Sequence, residues 1–315
     1  MDSKSLLDMA MQNLPSQICP LTKQPIENPA IFHRDLSDWW PSSLHDMRDD
    51  RLANIAIVER SARDAYYAKL KTLPIVLGFS GGLDSATVLH WAMRIFGHVH
   101  CLIFDYGQRH KIEIEMAKHY VEKYAMIPPP RGVTEEFLEP IQTASYDVID
   151  MSIINRMADS SLTRDDKKPP RNQSDEEMLS KLPNTFVPGR NVYFITALAQ
   201  RAYQIGTRHI AMGVNILDYS GYPDCRPEFI ESMRDALTVG VFNGEGMGVH
   251  APLMYLNKTN IVRLGRVLGV QYEDTHSCYE GVRGGCGECD SCILRRRAFE
   301  SIGVMDPAQE KWIKS

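Results

Sequence analysis

Three observations predict an α/β fold, a parallel sheet with helices on both faces. Short apolar runs alternate with stretches in which apolar residues recur every three or four positions. A polar loop with two adjacent glycines lies between the first such run and the first such helix. No period of 20–50 residues repeats, which excludes a solenoid or a propeller. Alternating strand and helix favours right-handed parallel crossovers.

The elements follow in order. Residues 1–72 have their own character and read as an N-terminal extension. Cys19-Pro20, Gln24-Pro25 and Asn28-Pro29 prevent a long helix there. Leu44–Leu70 then reads as a helix, with Ile55, Val58, Ala62 and Leu70 at helical spacings. Ile75–Phe79 is a buried parallel strand, Ser80–Ser85 a loop, and Ala86–Phe96 a helix. Val99–Phe104 is the second strand and Glu113–Tyr124 the second helix. Asp147–Ile154 is the third strand. Val192–Ile205 is a helix, His209–Gly213 the fourth strand, and Thr259–Leu268 a further helix. Between them, Asn155–Pro183 carries three prolines, six basic and six acidic residues. Loops of that length are functional lids or disordered, so partial disorder is expected. The domain reading is 1–72, an α/β domain 73–257, and a helical, cysteine-bearing segment 258–315.

Composition narrows the function classes. Lys+Arg total 35 and Asp+Glu 40, a net charge of −5, without the basic excess of a general nucleic-acid binder. No apolar run reaches 18 residues, so a membrane span is not expected. Met1–Pro15 shows no long apolar stretch and no small-residue cleavage site, so a secretory signal is not expected either. The expected location is the cytoplasm.

The first loop is a phosphate site by its physics. Helix N-termini offer unpaired N–H groups and a positive dipole end. Gly81 and Gly82 let the backbone approach an anion, Ser80 and Ser85 add hydroxyls, and Asp84 can fix the loop or hold Mg²⁺. The plainer reading is an ordinary Gly-Gly turn. The usual ATPase pattern G-x-x-x-x-G-K-[ST] is absent. Gly244–Gly248 has the wrong spacing for a dinucleotide fingerprint and reads as a flexible loop.

Cys278, Cys286, Cys289 and Cys292 place four of seven cysteines within 15 residues, as C-x7-C-x2-C-x2-C. That set suits a tetrahedral, structural Zn²⁺. Disulfides and an iron–sulfur cluster are the alternatives. Arg283 and Arg295–Arg297 lie near enough in sequence to offset the charge of four thiolates. Cys101 reads as a core residue.

Two polar loops complete the inventory. Asn184–Asn191 enters a helix, and Gly213–Arg226 follows a strand, where open α/β sheets bind ligands. Tyrosines there can stack, an Asp can accept a guanine-type N–H edge, and an Arg can pair with a carboxylate.

Ser80-Gly81-Gly82-Leu83-Asp84-Ser85 after a strand resembles the PP-loop of the adenine-nucleotide α-hydrolases, whose fold is Rossmann-like. Taken with Asp105–His110, Phe186–Asn191, Gly213–Arg226, Pro252-Leu253, Lys258-Thr259, Ser277-Cys278-Tyr279 and Cys286–Cys292, it resembles the 7-cyano-7-deazaguanine synthase family of queuosine-type biosynthesis. The likeness spans about residues 74–307. It implies ATP, Mg²⁺ and Zn²⁺, with 7-carboxy-7-deazaguanine and ammonia converted to a nitrile through adenylated acid and amide, in a C–N ligase reaction. It implies Ser80, Asp84, Ser85, Arg190 and Lys258 as catalytic. Nucleotide contacts would come from Phe79, Ser80, Gly81, Gly82, Leu83, Asp84, Ser85, Ala86, Thr87, Tyr106, Gln108 and Arg109. Substrate contacts would come from Phe186, Arg190, Asn191, Asn215, Asp218, Tyr219, Tyr222, Asp224 and Arg226, and metal ligands from the four cysteines. A homodimer is implied. Two departures stand out: His276 replaces the family's usual Trp, and residues 1–72 have no counterpart. The extension suggests a rival in which the reaction stops at the amide or the activated base goes to an amine on a partner protein. A PP-loop enzyme of tRNA and a zinc-ribbon binding module are further rivals.

Overall fold

The computed structural model of the chain describes residues 68–124, 144–164, 166–167, 169–171, 182–216 and 222–309, with four two-residue strands nearer the N-terminus. The chain forms two compact units, Met1–Thr72 and Leu73–Ser315. In the first, Gln17–Ile18 pairs antiparallel with Pro25–Ile26, and Ile31–Phe32 with Trp39–Trp40. Of the expected helix Leu44–Leu70, residues 68–70 are helical and the rest lies outside the described residues.

The second unit is built on five strands: β1 (Pro74–Gly78), β2 (His98–Asp105), β3 (Ala144–Asp150), β4 (His209–Ala211) and β5 (Gly248–His250). All four pairings are parallel, in the order β3-β2-β1-β4-β5. Alternate residues of each strand point to opposite faces. Val76, Leu102, Phe104 and Ile210 therefore pack on one face. They meet Ile195, Leu198 and Ala202 of α4 (Arg190–Gln204), with Ile230 and Leu237 of α5 (Pro227–Gly240). Ile75, Leu77 and Cys101, all fully buried, point to the other face with α1 (Leu83–Ile95) and α2 (Ile112–Tyr124). There Phe79 packs on Tyr120 of α2, ring centroids 5.8 Å apart.

Several boundaries differ from the sequence reading. α1 begins at Leu83 rather than Ala86, because the Gly82 carbonyl already accepts the Ala86 N–H at 3.0 Å. The third strand stops at Asp150, whose carboxylate accepts the Ser152 N–H at 2.8 Å and turns the chain into α3 (Ile153–Met157). α5 and β5 carry no sequence expectation. Pro227 at the start of α5 supplies a fixed φ where no N–H is needed.

The described part of the 155–183 loop is packed. Ser160 and Ser161 are buried and bond to Asn184. Arg171 pairs in an isolated bridge with Cys289 and reaches Glu280 and Glu288, each at 2.8 Å. α6 (Lys258–Leu268) and α7 (Asp290–Glu300) pack on each other, and α6 also packs on α1. Arg295 of α7 is buried and paired with Asp306 at 2.7 and 2.9 Å. It also donates to Thr275 Oγ1 and the Tyr272 carbonyl. Its charge thus has a carboxylate partner of its own, and it binds helix to preceding loop.

His90 of α1 is buried between the Leu268 carbonyl (3.2 Å) and the Tyr120 hydroxyl (3.0 Å). Burial pulls its pKa down to about 4, with the Leu268 bond opposing. The folded state thus holds His90 neutral where an unfolded chain would protonate it. The stability this lends is complete above pH 6.5 and is lost as pH falls from 6.5 toward 4. Each pH unit in that window removes up to about 1.4 kcal/mol. Urea unfolding between pH 5 and 8 should show a shallower acid decline for His90→Gln than for wild type. Equal slopes would exclude His90 as a source of the acid sensitivity.

Candidate active site

In the order β3-β2-β1-β4-β5 the sequence in which strands are added switches sides between β1 and β4, while all strands stay parallel. A crevice opens there, beyond the carboxyl ends of the two strands. The loop leaving β1 is Phe79–Gly82 and the loop leaving β4 begins at Met212. The second comes close to the first turn of α1: a Cβ on Gly213 would lie 3.2 Å from the Ser85 nitrogen.

The first loop is knitted by its two hydroxyls. Ser85 Oγ accepts the Ser80 N–H (3.3 Å), pairs with Ser80 Oγ (3.1 Å) and donates to the Gly82 carbonyl (3.2 Å). Gly82 is the N-cap of α1 and has no side chain to engage the helix's first N–H groups. Gly81 takes φ +73°, and a Cβ there would lie 2.8 Å from the Ala117 Cα of α2. A polypeptide strap, Thr275–Cys278, supports the loop from behind. The His276 N–H donates to the Gly81 carbonyl at 2.9 Å, and Ser277 Oγ accepts the Leu83 N–H at 3.4 Å. Lys258, at the start of α6, reaches both oxygens of Asp84 at 3.0 and 2.8 Å. The sequence-predicted Ser80, Asp84, Ser85 and Lys258 therefore stand together. Thr87 does not join them: its hydroxyl donates to the Leu83 carbonyl and pairs with the Tyr272 hydroxyl, away from the loop. Phe79, Leu83 and Ala86 are buried.

Arg190 forms a second wall. It opens α4 after Gly189, and its guanidinium lies 5.7 Å from the centroid of the Tyr106 ring. Its Nε is buried with no hydrogen-bond partner. Asn215 Oδ1 and His110 Nε2 are likewise buried without partners. Such orphaned atoms are costly unless a ligand completes them. Burial pushes Tyr106 up to about 12, with Glu113 adding to the shift. Asp224 Oδ2 accepts the Asn191 N–H at 3.3 Å and its carbonyl accepts the Asn191 side-chain amide at 3.0 Å. The Asp224 carboxyl is raised by burial, with Arg190 opposing. The Phe186 and Tyr222 rings lie tilted to each other, centroids 5.8 Å apart. Arg226 is exposed at the N-cap of α5. The amide of Gln108 is engaged by its own turn, accepting from Tyr106 N and donating to the Phe104 carbonyl. Arg109 donates to the Lys167 carbonyl at 3.1 Å, within the 155–183 loop. Asp218 and Tyr219 lie outside the described residues.

One residue the motifs did not indicate is coupled electrostatically to Arg190. Glu113, in the first turn of α2, is held up to about 7 by burial, against the pull of Arg190. Its signal in the sequence, an acid near the start of an amphipathic helix, is ordinary.

The four cysteine sulfurs all lie within 4.8 Å of one another. Tetrahedral zinc with bonds of about 2.3 Å sets sulfurs about 3.8 Å apart, so the set fits that ion. The Cys286 N–H donates to Cys278 Sγ (3.4 Å) and the Cys289 N–H to Cys286 Sγ (3.3 Å), as suits thiolates. Gly285 makes room: at φ +103°, a Cβ there would lie 3.1 Å from Cys292 Sγ. The His276 ring is buried, its Nε2 3.2 Å from the Cys278 carbonyl, so it is part of the strap rather than the surface.

The family model for the queuosine biosynthesis protein QueC matches residues 74–303. The chain belongs to the QueC family. Three 7-cyano-7-deazaguanine synthases are similar to it. Those of Thermoplasma acidophilum and Solidesulfovibrio magneticus are 41% and 42% identical, each over 74% of this chain and over 90% and 94% of their own. That of Nostoc punctiforme is 39% identical over 74% of this chain and 97% of its own. Solved structures resemble it less. A predicted subunit of a tRNA methyltransferase from Methanocaldococcus jannaschii has a TM-score of 0.33, at 13% identity over 62% of this chain and 74% of its own. A 4-thiouridine synthetase–RNA complex with bound ATP has a TM-score of 0.37, at 15% identity over 72% and 53%. Residues 1–72 of this QueC-family chain lie outside the family match. Among the described residues no helix is long and apolar enough to cross a membrane.

Gly81→Ala should cost at least about 2 kcal/mol, because it adds a Cβ at positive φ against the α2 backbone. Urea denaturation checks this, and an unchanged midpoint would show that the contact yields.

Proposed function

We propose that this chain converts 7-carboxy-7-deazaguanine to 7-cyano-7-deazaguanine, consuming ATP and ammonia. One observation carries the reading beyond family membership. A phosphate-type loop carries Lys258 on its Asp84, and Arg190, at the start of α4, has a buried Nε without a partner. The first suits a nucleotide and the second a carboxylate.

A carboxylate resists ammonia because its oxygen leaves poorly. Transfer of AMP to that oxygen makes it a good leaving group, and ammonia then displaces AMP to give the amide. Adenylation of the amide oxygen and loss of AMP give the nitrile, one ATP per oxygen removed. The protein's part is positioning and electrostatics. The N–H groups of the first turn of α1, with Ser80 and Ser85, cradle the phosphates. Lys258 neutralises charge developing at the α-phosphate, and Arg190 holds the substrate carboxylate. Because Lys258 reaches both Asp84 oxygens, holding the loop and the lysine is the role this geometry favours for Asp84. Magnesium would accompany the nucleotide. Asp218 and Asp224 are the candidates for the base edge, with Phe186, Tyr219 and Tyr222 as stacking surfaces. Cys278, Cys286, Cys289 and Cys292 would hold zinc, which supplies a structural cross-link.

Residues 1–72 favour a second reading, in which the activated base passes to an amine of a partner protein. Mass spectrometry after incubation with the acid, ammonia and ATP separates the two. Nitrile as the sole product supports the first reading, and a conjugate or amide as the end product overturns it. Ser80→Ala and Asp84→Ala should each slow carboxylate-dependent pyrophosphate release at least about tenfold. Release at wild-type rates would remove the loop from adenylation. Metal analysis should find one zinc per chain, and iron or no metal would refute the zinc assignment.

A further inference from the structure

Three serine hydroxyls stand at the start of α1, and their protons can be followed one by one. Ser85 donates its proton to the Gly82 carbonyl at 3.2 Å. Its oxygen also pairs with Ser80 Oγ at 3.1 Å, so the proton in that pair comes from Ser80. Both loop hydroxyls therefore donate within the loop. Ser277, from the 275–278 strap, is the third. Its oxygen accepts the Leu83 N–H at 3.4 Å and an N–H of the Arg295 guanidinium at 3.3 Å. A hydroxyl has two lone pairs and one proton. Both lone pairs of Ser277 are engaged, and among the described residues no acceptor meets its proton.

Its neighbours fix its place. Gly82 is the N-cap of α1, and a Cβ there would lie 3.8 Å from Ser277 Oγ and 3.4 Å from Ser80 Oγ. The glycine leaves room for a hydroxyl that comes from the strap. The Ser277 carbonyl accepts the Ser291 hydroxyl at 2.7 Å, and the preceding His276 N–H is bonded to the Gly81 carbonyl. Arg295 has a partner for each of its five N–H groups. Two go to Asp306, one to the Tyr272 carbonyl, one to Thr275 Oγ1 and one to Ser277 Oγ. Asp306 balances its charge, so Arg295 acts on the loop through the Ser277 hydroxyl.

We propose that Ser277 donates its hydroxyl proton to a phosphate oxygen of the nucleotide held at the start of α1. The inference rests on the synthase reading above and adds a binding residue to it. Donation from Leu83 and Arg295 polarises the Ser277 oxygen and strengthens the remaining O–H as a donor. With both lone pairs occupied, the hydroxyl offers an incoming anion a proton and not an electron pair. A hydrogen bond to an ionised phosphate belongs to the strong, charge-assisted class. Ser80 and Ser85 then keep the loop in shape, while Ser277 and the backbone N–H groups grip the anion.

Calorimetric titration of the full-length protein with ATP tests this, with thermal melting run on the same samples. Ser277→Ala removes the proton, and ATP affinity should fall at least about tenfold, the scale of a hydrogen bond to a charged group. Ser277→Asp keeps an acceptor for the Leu83 N–H and for Arg295 but has no proton to give. It should melt no lower than wild type and yet lose at least as much ATP affinity as Ser277→Ala. A hydroxyl that only capped α1 would be replaced by Asp, which caps as well as Ser. Wild-type ATP affinity in either variant would therefore overturn the proposal. Should both variants melt well below wild type, Ser277→Thr, which keeps the proton, decides. ATP affinity close to wild type supports the role, and a loss as large as in Ser277→Ala refutes it. A wild-type protein that binds no ATP and shows no carboxylate-dependent ATP–pyrophosphate exchange would instead overturn the synthase reading beneath it.

Discussion

The bond from the His276 N–H to the Gly81 carbonyl joins the two halves of the molecule's chemistry. A glycine-rich loop has little to hold it in one conformation, and two serine hydroxyls are a modest clamp. Here the loop is pressed between Ala117 of α2 in front and the 275–278 strap behind. The strap ends at Cys278, so the geometry of the cysteine cluster bears directly on the loop. Arg295 secures the same strap from the other side through Thr275 and Ser277. A metal held by the four cysteines would thus be structural in a specific sense: it would fix the backing of a phosphate loop.

The crevice depends on strand order more than on any side chain. Since β1 leads to α1 on one face of the sheet and β4 to α5 on the other, the chain parts above Gly78 and Ala211. Arg190 and Tyr106 arrive from the start of α4 and the end of β2, on two separate crossovers. Each is positioned by an element whose core face is apolar and whose end is polar. The packed part of the 155–183 loop ties this region to the cysteine cluster through Arg109 and Arg171.

Legibility in the sequence followed locality. The Ser80–Ser85 glycine loop between strand and helix and the C-x7-C-x2-C-x2-C cluster could be read because each is one continuous stretch. Strands β1, β2 and β4 could be read because burial on both faces makes them apolar runs. β3 was placed too far along the chain, since it starts at Ala144 and ends where the Asp150 carboxylate turns the backbone at Ser152. α5 was passed over, although Pro227 and the spacing of Ile230, Met233 and Leu237 mark it. Thr87 was grouped with the loop by sequence position, yet helical geometry points its hydroxyl at Tyr272. Glu113 and the His276 strap were invisible for a different reason. Their meaning lies in partners far away in the chain, and no local pattern encodes that.

That distance sets a schedule for biosynthesis. The Leu83 N–H meets the Ser277 hydroxyl across 194 positions of sequence. Strand β1 and its loop leave the ribosome well before their rear support, which lies 194 positions later. The nascent chain therefore carries an unsupported glycine loop until the cysteine segment has been released, and the contact closes late and non-locally.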